Sequence, residues 1–384
     1  MLKFRKIFTA SALSLVLIFS SIVPCRIYAL SEGSVTAPSA VLMETSTGKI
    51  LFEKNSHEQR PCASVTKVMT LLLVFEAIDS GKLSLDDTIT ASEHAASMGG
   101  SDIWLENGET MSADDMIKAT VVASANDAAV ALAEHISGSE DAFVEKMNER
   151  AKQLKMNDTV FKNCNGLDEE GHVTSAYDVA VMSRELMKHK KIFDYTTIWL
   201  DTLRNGKTQI VNTNKLLKTY NGITGLKTGT TNDAGCCMSA SATRGNVSLV
   251  AVVLGCKTGK ERFADAAALL DYGFANVSVK ELTLPDDLPK SIEVEEGMED
   301  SVALKCEVSQ SIVLDKSTSP EIKTNIDIPK SVTAPIKKNQ KIGTLTYIVN
   351  DKPVNSFDIT AVKDVEKTSF GSVCAVVFNS LLSL

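Results

Sequence analysis

Runs of apolar residues divide the chain into segments of different character. An apolar run spans residues 7–24. Residues 40–53 contain two apolar stretches separated by a polar turn, and this pattern predicts a β-hairpin. The segment that begins near Ser64 is apolar on all sides, which predicts a buried central helix. Amphipathic helices are predicted at about 113–123, 127–136, 142–154, 176–189 and 262–274, and strands at 208–212, 223–228, 237–243 and 247–254. Strands at both ends with helices between them predict an α+β unit, an antiparallel sheet covered by helices.

The pattern changes near residue 276. From there, short β-rich runs such as 291–294 and 343–349 alternate with turns rich in Pro, Asp and Asn, and the helical period disappears. We therefore predict a first domain over residues 37–275 and a small all-β domain over residues 276–365.

Both ends of the chain carry an apolar segment. Basic residues precede the first segment, and Ala29 is a small residue where a signal peptidase would cut. Residues 1–29 are therefore predicted to be a signal peptide and the rest of the chain extracytoplasmic, with a retained membrane anchor as the alternative. Residues 367–384 repeat apolar side chains at helical spacing. This favours an amphipathic helix on a membrane surface, with docking on the β domain as the alternative.

Charge and cysteine content narrow the range of partners. The 384 residues include 40 basic and 48 acidic side chains, for a net charge of −8. Because no basic block compensates this charge, nucleic acid is not an expected partner. The eight cysteines are too sparse for a disulfide scaffold and lack the paired spacing of zinc sites. We expect no metal and no cofactor, and we interpret the cysteines as buried packing.

One candidate for nucleophilic chemistry is a serine followed three residues later by a lysine. Ser64 and Lys67 share a helix face, and a lysine can activate a serine when burial removes its proton. The same pattern occurs at Ser46 and Lys49. That copy lies in the predicted hairpin turn, where the two side chains would not share a face, so helical context favours Ser64.

A second polar pair, Ser124 and Asn126, falls at the break between two predicted helices. A short loop there could point both side chains into a cleft. The alternative is ordinary helix capping, for which Ser and Asn are favoured residues.

A third motif, residues 227–229, reads Lys-Thr-Gly and ends the strand predicted from residue 223. A glycine at this place lets another backbone or a ligand approach closely. A solvated strand end is the alternative for Lys227. Residues 257–259 repeat the three letters, but they lead directly into a helix and are interpreted as a strand-to-helix connection.

In this order, the three motifs resemble those of the penicillin-recognising active-site serine family. The chain is most similar to low-molecular-mass penicillin-binding proteins that are D-alanyl-D-alanine carboxypeptidases. That closer resemblance is carried by residues 61–70, 124–128, 165–168, 174–178 and 225–229. It spans about residues 37–274, and the β domain with its terminal helix extends it along nearly the whole chain after the leader. The resemblance implies a β-lactamase/transpeptidase-like fold.

The resemblance also implies a role for each motif residue. Ser64 would attack the carbonyl between the two terminal D-alanines of a peptidoglycan stem peptide, Lys67 would accept its proton, and Ser124 would relay a proton to the leaving D-alanine. Lys227 would help keep Lys67 deprotonated by repulsion, and the N–H groups of Ser64 and Thr230 would form the oxyanion hole. β-Lactams would acylate the same serine. The implied substrate-binding residues are Asn126, Lys227, Thr228, Gly229, Thr230 and Arg262. For Arg262 the alternative is a solvated arginine at the start of a helix.

The sequence departs from its relatives at Thr213 and in its cysteines, since Cys62 lies two residues before Ser64 and Cys236 and Cys237 lie just past the third motif. Thr213 stands where many relatives carry an arginine between two asparagines.

The sequence also leaves two other functions open. A β-lactamase of the same fold is one alternative, and Glu169 or Glu170 could then be a deacylating base, although their surroundings lack the Glu-x-x-Leu-Asn pattern of class A enzymes. A non-catalytic cell-wall scaffolding protein is the other, and the three intact motifs argue against it.

Overall fold

The computed structural model describes residues 30–317, 320–371 and 374. The predicted signal peptide and most of the predicted terminal helix, residues 367–384, lie outside the described residues. Within the part that is described, no helix has both the length and the apolar character needed to cross a membrane.

Most helices begin where a Ser or Thr side chain caps the first turn. The α-helices are α1 Lys67–Asp79, α2 Glu93–Ala96, α3 Ala113–Lys118, α4 Asn126–Ser137, α5 Glu140–Gln153, α6 Ala176–Leu186, α7 Ile192–Thr196, α8 Leu216–Thr219 and α9 Gly259–Asn276. Shorter segments are the 3₁₀ turns Glu32–Ser34 and Ala63–Thr66 and the π-helical turn Ala119–Ala123. Side chains accept a backbone hydrogen bond at five of these starts: Ser92, Ser112, Ser139, Ser175 and Thr258.

The strands fall into a group before residue 257 and a group after residue 276. The first group is β1 Ser39–Glu44, β2 Ile50–Lys54, β3 Thr88–Thr90, β4 Thr110–Ser112, β5 Leu200–Leu203, β6 Thr208–Val211, β7 Ile223–Thr231, β8 Gly235–Arg244 and β9 Val247–Cys256. The second is β10 Val277–Glu281, β11 Ser291–Glu295, β12 Ser301–Cys306, β13 Ser311–Asp315, β14 Ile322–Asp327, β15 Ser331–Thr333, β16 Lys341–Val349 and β17 Lys352–Ala361.

A five-stranded antiparallel sheet with the order β2-β1-β9-β8-β7 organises the first part of the chain. Helix α9 packs against β8 and β9 on one face, and α6 packs against β1 and β9 on the other, with α1 behind it. Because both faces are covered, β1 is buried along its whole length and β8 and β9 along most of theirs. The predicted antiparallel sheet covered by helices is confirmed.

The structure refines the predicted elements near the motifs. Strand β7 continues to Thr231, so Lys227 lies in the middle of a strand and not at its end. The helix predicted at 113–123 is α3 followed by a π-helical turn, which places an irregular backbone directly before Ser124. The strand predicted at 208–212 is β6, whereas its partner β5 and the pair β3-β4 were not predicted, because these strands are only three or four residues long.

The later part of the chain is built from strands. A six-stranded sheet has the order β14-β16-β17-β12-β11-β15, and a separate pair joins β10 to β13. Neighbouring strands of the six-stranded sheet are antiparallel, except that β11 and β15 are parallel. Apolar side chains from alternate strand positions form two clusters in this region. The predicted all-β character is confirmed, while the boundary at residue 276 stays a prediction.

Candidate active site

The serine and lysine of the first motif lie at the start of the central helix. Ser64 belongs to the 3₁₀ turn Ala63–Thr66, and Lys67 is the first residue of α1. Lys67 Nζ is 3.0 Å from Ser64 Oγ. It also donates to Asn126 Oδ1 at 2.5 Å and to the carbonyl oxygen of Asn165 at 2.7 Å. Lys67 is 0% exposed whereas Ser64 is partly exposed, so only the serine is open to a substrate.

These three partners define the direction of the lysine lone pair. The Asn126 amide nitrogen donates to the carbonyl oxygen of Gly99 at 2.7 Å, so its oxygen faces Lys67. The Asn126 oxygen and the Asn165 carbonyl can only accept hydrogen bonds. When Lys67 loses a proton, its two remaining hydrogens stay on these acceptors. The lone pair therefore faces the Ser64 hydroxyl.

Burial lowers the pKa of Lys67 to about 7, with Cys164, Asp127 and Cys62 opposing the shift. A substantial neutral fraction is therefore present near neutral pH. The pKa of Lys227 is also lowered well below its usual value, first by burial and then by the charges of Lys67 and Arg262. Burial is the main cause at Lys67, and the expected help from repulsion by Lys227 stays a prediction.

The backbone is strained on both sides of the nucleophile. Ala63 and Ser124 have positive φ angles of 51° and 63°, which are uncommon for residues with a side chain. Gly166, with φ of 88°, presses against the same turn, since a Cβ there would lie 2.0 Å from the Ala63 carbonyl oxygen. The packing of these segments fixes the turn that presents Ser64.

The second motif points into the site. Ser124 follows the π-helical turn, is buried, and accepts a hydrogen bond from Lys227 Nζ at 2.8 Å. Asn126 begins α4, and its side chain bonds Lys67 and Gly99. The N-cap of α4 is Ala125, which makes no side-chain cap. Neither Ser124 nor Asn126 caps the start of α4, whereas Ser124 is the left-handed C-cap residue of the preceding π-helical turn.

The third motif passes directly beside the serine turn. Lys227 is 2% exposed, so the alternative of a solvated strand end is wrong. A Cβ on Gly229 would lie 2.6 Å from the Cys62 carbonyl oxygen and 2.9 Å from the Ser64 nitrogen. Only glycine lets β7 approach this closely. Thr228 Oγ1 is 2.6 Å from Thr213 Oγ1, which pairs the motif with the residue that departs from the relatives.

Arg262 lies beside the C-terminal end of strand β7. Its Nη1 donates to the Gly229 carbonyl at 2.9 Å, to Thr230 Oγ1 at 3.0 Å and to the Cys237 carbonyl at 3.3 Å. Arg262 is buried, so the alternative of a solvated arginine is wrong, whereas Thr230 is exposed. The guanidinium brings a positive charge to the open end of β7.

The repeated motifs take the structural roles predicted for them. Ser46 and its neighbour Thr47 lie in the turn between β1 and β2, where both hydroxyls donate to the Glu44 carboxylate. Thr258 caps α9 in a capping box with Glu261. Both second copies are therefore structural.

The sequence did not predict the contributions of Asn165, Asp127 and His172 near the site. The Asn165 carbonyl holds Lys67, and a backbone group gives no sequence signal beyond the following glycine. The Asp127 carboxylate accepts the N–H groups of Ile103 and Leu105 and so anchors the loop beside Asn126. Its signal was its place in the first turn of a helix, which also suits an ordinary cap.

A buried histidine supports the nucleophile helix from behind and was also missed. His172 Nδ1 accepts the Lys162 N–H at 3.1 Å, so Nε2 carries the proton and donates to Thr66 Oγ1 at 2.8 Å. Burial lowers the pKa of His172 to about 4, and the ring stays neutral above that pH.

A partly exposed serine beside a buried amine, flanked by a second serine and a lysine-bearing strand, defines an enzyme with an activated serine nucleophile. A family model described as D-alanyl-D-alanine carboxypeptidase matches residues 27–258. A model of the C-terminal domain of penicillin-binding protein 5 matches residues 279–367. The chain therefore belongs to the D-alanyl-D-alanine carboxypeptidase family, peptidase family S11. The predicted family and enzyme class are confirmed.

Known relatives are similar to this chain in sequence or structure along most of its length. The D-alanyl-D-alanine carboxypeptidase DacF of Bacillus subtilis is 43% identical over 344 residues, 88% of each chain. The structure of penicillin-binding protein 5 from Haemophilus influenzae is 32% identical, covers 88% of this chain and 100% of its own, and has a TM-score of 0.77. Penicillin-binding protein D2 of Listeria monocytogenes in its ampicillin-bound form is 32% identical, covers 62% of this chain and 98% of its own, and has a TM-score of 0.57.

Proposed function

We propose that this protein removes the terminal D-alanine from peptidoglycan stem peptides through an acyl intermediate on Ser64. The observation that carries the proposal is the 3.0 Å contact between Ser64 Oγ and the fully buried amine of Lys67. No second lysine of the motif pattern shares this environment, since Lys49 lies in an exposed turn. The chain's membership of the D-alanyl-D-alanine carboxypeptidase family supports a stem peptide with a terminal D-alanine as the substrate.

The first step forms the acyl-enzyme. Neutral Lys67 accepts the Ser64 proton while Oγ attacks the carbonyl carbon between the two D-alanines. The N–H groups of Ser64 and Thr230 stabilise the oxyanion. The close approach of Gly229 to the Ser64 nitrogen supports this pairing, because it brings the backbone of β7 beside that of the nucleophile.

The second step expels D-alanine. Ser124 passes a proton to the departing amine as the carbon–nitrogen bond breaks. Lys227 donates a hydrogen bond to Ser124 at 2.8 Å and delivers the proton along it. Water then attacks the acyl carbon and releases the shortened peptide and free Ser64. Asn126, whose amide is fixed by Lys67 and Gly99, binds the substrate backbone.

The carboxylate of the last D-alanine binds at the open end of β7. The hydroxyls of Thr228 and Thr230 donate to it, and the nearby charges of Lys227 and Arg262 favour an anion there. Arg262 acts by holding Thr230 Oγ1 at 3.0 Å and by its charge. A free carboxylate next to the scissile bond is what distinguishes a carboxypeptidase substrate from an internal peptide.

β-Lactams acylate the same serine in this proposal, as covalent inhibitors. The ampicillin-bound form of the Listeria relative supports this, at 32% identity over the catalytic part. We place the enzyme outside the cytoplasm, where peptidoglycan lies, and infer that residues 367–384 attach it to the membrane surface. Their apolar side chains repeat at helical spacing, and this amphipathic pattern supports attachment. Removal of these residues would shift the protein from the membrane fraction to the soluble fraction.

The reaction separates this function from its alternatives. The purified protein is incubated with diacetyl-Lys-D-Ala-D-Ala and, separately, with labelled penicillin. Release of D-alanine together with a persistent penicillin adduct supports the proposal. Rapid penicillin turnover without D-alanine release would indicate a β-lactamase, and the absence of both reactions a scaffolding protein.

A further inference from the structure

Two cysteines that the proposed mechanism does not use face each other across adjacent strands. Cys236 of β8 and Cys256 of β9 are direct register partners in the antiparallel sheet. Both belong to the apolar cluster between the sheet and α9, whereas Cys237 belongs to the cluster on the other side. Both thiols are free. Cys236 and Cys256 therefore point from neighbouring strands toward the same face.

The register of the two strands places these cysteines where the Cβ separation is near the one that a disulfide needs. Directly opposed residues of an antiparallel pair have Cβ atoms about 4.5–5.5 Å apart, and a disulfide needs about 3.8 Å. Closing the bridge requires a movement of roughly 1 Å. The ladder is irregular at this point, with a register shift between Cys236 and Met238, so the end of β8 is where such a movement disturbs the fewest hydrogen bonds.

The surroundings give the two thiols different tasks. Cys236 is partly exposed and can meet a reagent from solution. Cys256 is buried, and its Sγ lies 4.0 Å from Asp265 Oδ2, whose negative charge opposes loss of the thiol proton. Burial raises the pKa of Cys256 to about 12, so Cys256 reacts second and slowly.

We propose that Cys236 and Cys256 form a thiol–disulfide site that accepts small-molecule disulfides, RS–SR. Cys236 first loses its thiol proton to water; the thiolate then attacks RS–SR, forming a mixed disulfide and expelling RS⁻, which takes up a proton from water. The Cys256 sulfur then attacks the Cys236 sulfur and expels the second RS⁻, which takes up the Cys256 proton. The two cysteines are oxidised to one disulfide, and RS–SR is reduced to two RSH.

The bridge would act on the substrate end of β7. Cys236 is the register partner of Thr230, whose Oγ1 lies 3.9 Å from Cys236 Sγ and accepts a hydrogen bond from Arg262 at 3.0 Å. Drawing Cys236 toward Cys256 moves the strand segment that supports Thr230. A misplacement of about 1 Å can cost up to a hundredfold in rate. We expect a loss of about tenfold in kcat/KM, a consequence that rests on the proposed function.

Peptide mapping tests the bond independently of activity. The reduced, purified protein is incubated with hydroxyethyl disulfide, blocked with N-ethylmaleimide, digested and analysed by mass spectrometry. The expected product is a peptide pair linked through residues 236 and 256. The link should persist in Cys237→Ala and be absent in Cys256→Ala, with Cys236→Ser as a second variant should Cys256→Ala not fold. If exposed Cys374 is modified while no linked pair forms, the proposal is overturned.

D-alanine release, measured before oxidation, after oxidation and after reduction with dithiothreitol, tests the consequence. We expect the loss to follow formation of the link, to reverse on reduction, and to be absent in Cys256→Ala. A complete link with unchanged kcat/KM would overturn the effect on β7. If the reduced protein releases no D-alanine while the link forms, the proposed function fails and the disulfide site stands.

Discussion

Acylation of Ser64 should accelerate about tenfold between pH 6 and pH 8. The reason is the buried position of Lys67, which lowers its pKa to about 7. A lysine with that pKa is neutral in roughly a tenth of the molecules at pH 6 and roughly nine-tenths at pH 8. A solvated lysine of pKa about 10.4 would be neutral in less than about a thousandth at pH 7 and would leave the rate still rising beyond pH 9.

The assay is the rate of adduct formation with a fluorescent penicillin, followed by stopped flow at subsaturating concentration. Rates are measured from pH 5 to pH 9 at constant ionic strength. Lys49→Gln is the matched control, because it removes the lysine of the second Ser-x-x-Lys copy, which is in the β1-β2 turn. Its profile should coincide with that of the unchanged protein, while Lys67→Gln should abolish adduct formation.

Two results would refute the reasoning. A flat profile between pH 6 and pH 8 would show that no group of pKa near 7 limits acylation. A rate that is still rising at pH 9 without levelling off would show that Lys67 keeps the pKa of a solvated lysine despite its burial. His172 does not obscure the measurement, since burial lowers its pKa to about 4, below the range examined.

Other substitutions test the site and its support. Gly229→Ala places a Cβ 2.6 Å from the Cys62 carbonyl oxygen and should lower the acylation rate more than about tenfold; an unchanged rate would contradict the role of the close approach. Arg262→Lys loses the rigid fork that holds Thr230 and should raise KM about tenfold with kcat nearly constant, so equal KM values in steady-state kinetics would count against a carboxylate site there. Thr66→Val leaves the buried His172 N–H without its acceptor and should cost about 1–3 kcal/mol in urea unfolding, whereas unchanged stability would show that the bond contributes nothing.

The long elements were predictable because burial imposes a period on them. The apolar helix after Ser64 and the paired strands β8 and β9 follow directly from their sequences, since both faces of the sheet are covered. The three-residue strands β3 and β4 carry no such period and were missed. Their pairing depends on neighbours that are distant in sequence.

The residues of the site were predictable as a set, but their mutual arrangement was not. Motif order singled out Ser64, Lys67 and Lys227. It could not show that the Asn165 carbonyl holds Lys67, since every residue has a carbonyl group. Nor could it show that burial is the main cause of the lowered pKa of Lys67, because burial is a property of the folded chain.

The central claim is that Ser64 is the acylated residue, and the site of penicillin attachment tests it most directly. The protein is labelled with penicillin, digested, and the labelled residue identified by tandem mass spectrometry in the unchanged chain and in the Ser64→Ala and Ser46→Ala variants. The label should lie on Ser64, disappear in Ser64→Ala and persist in Ser46→Ala. A label on Ser46, or on any residue of the Ser64→Ala variant at an undiminished rate, would contradict the account.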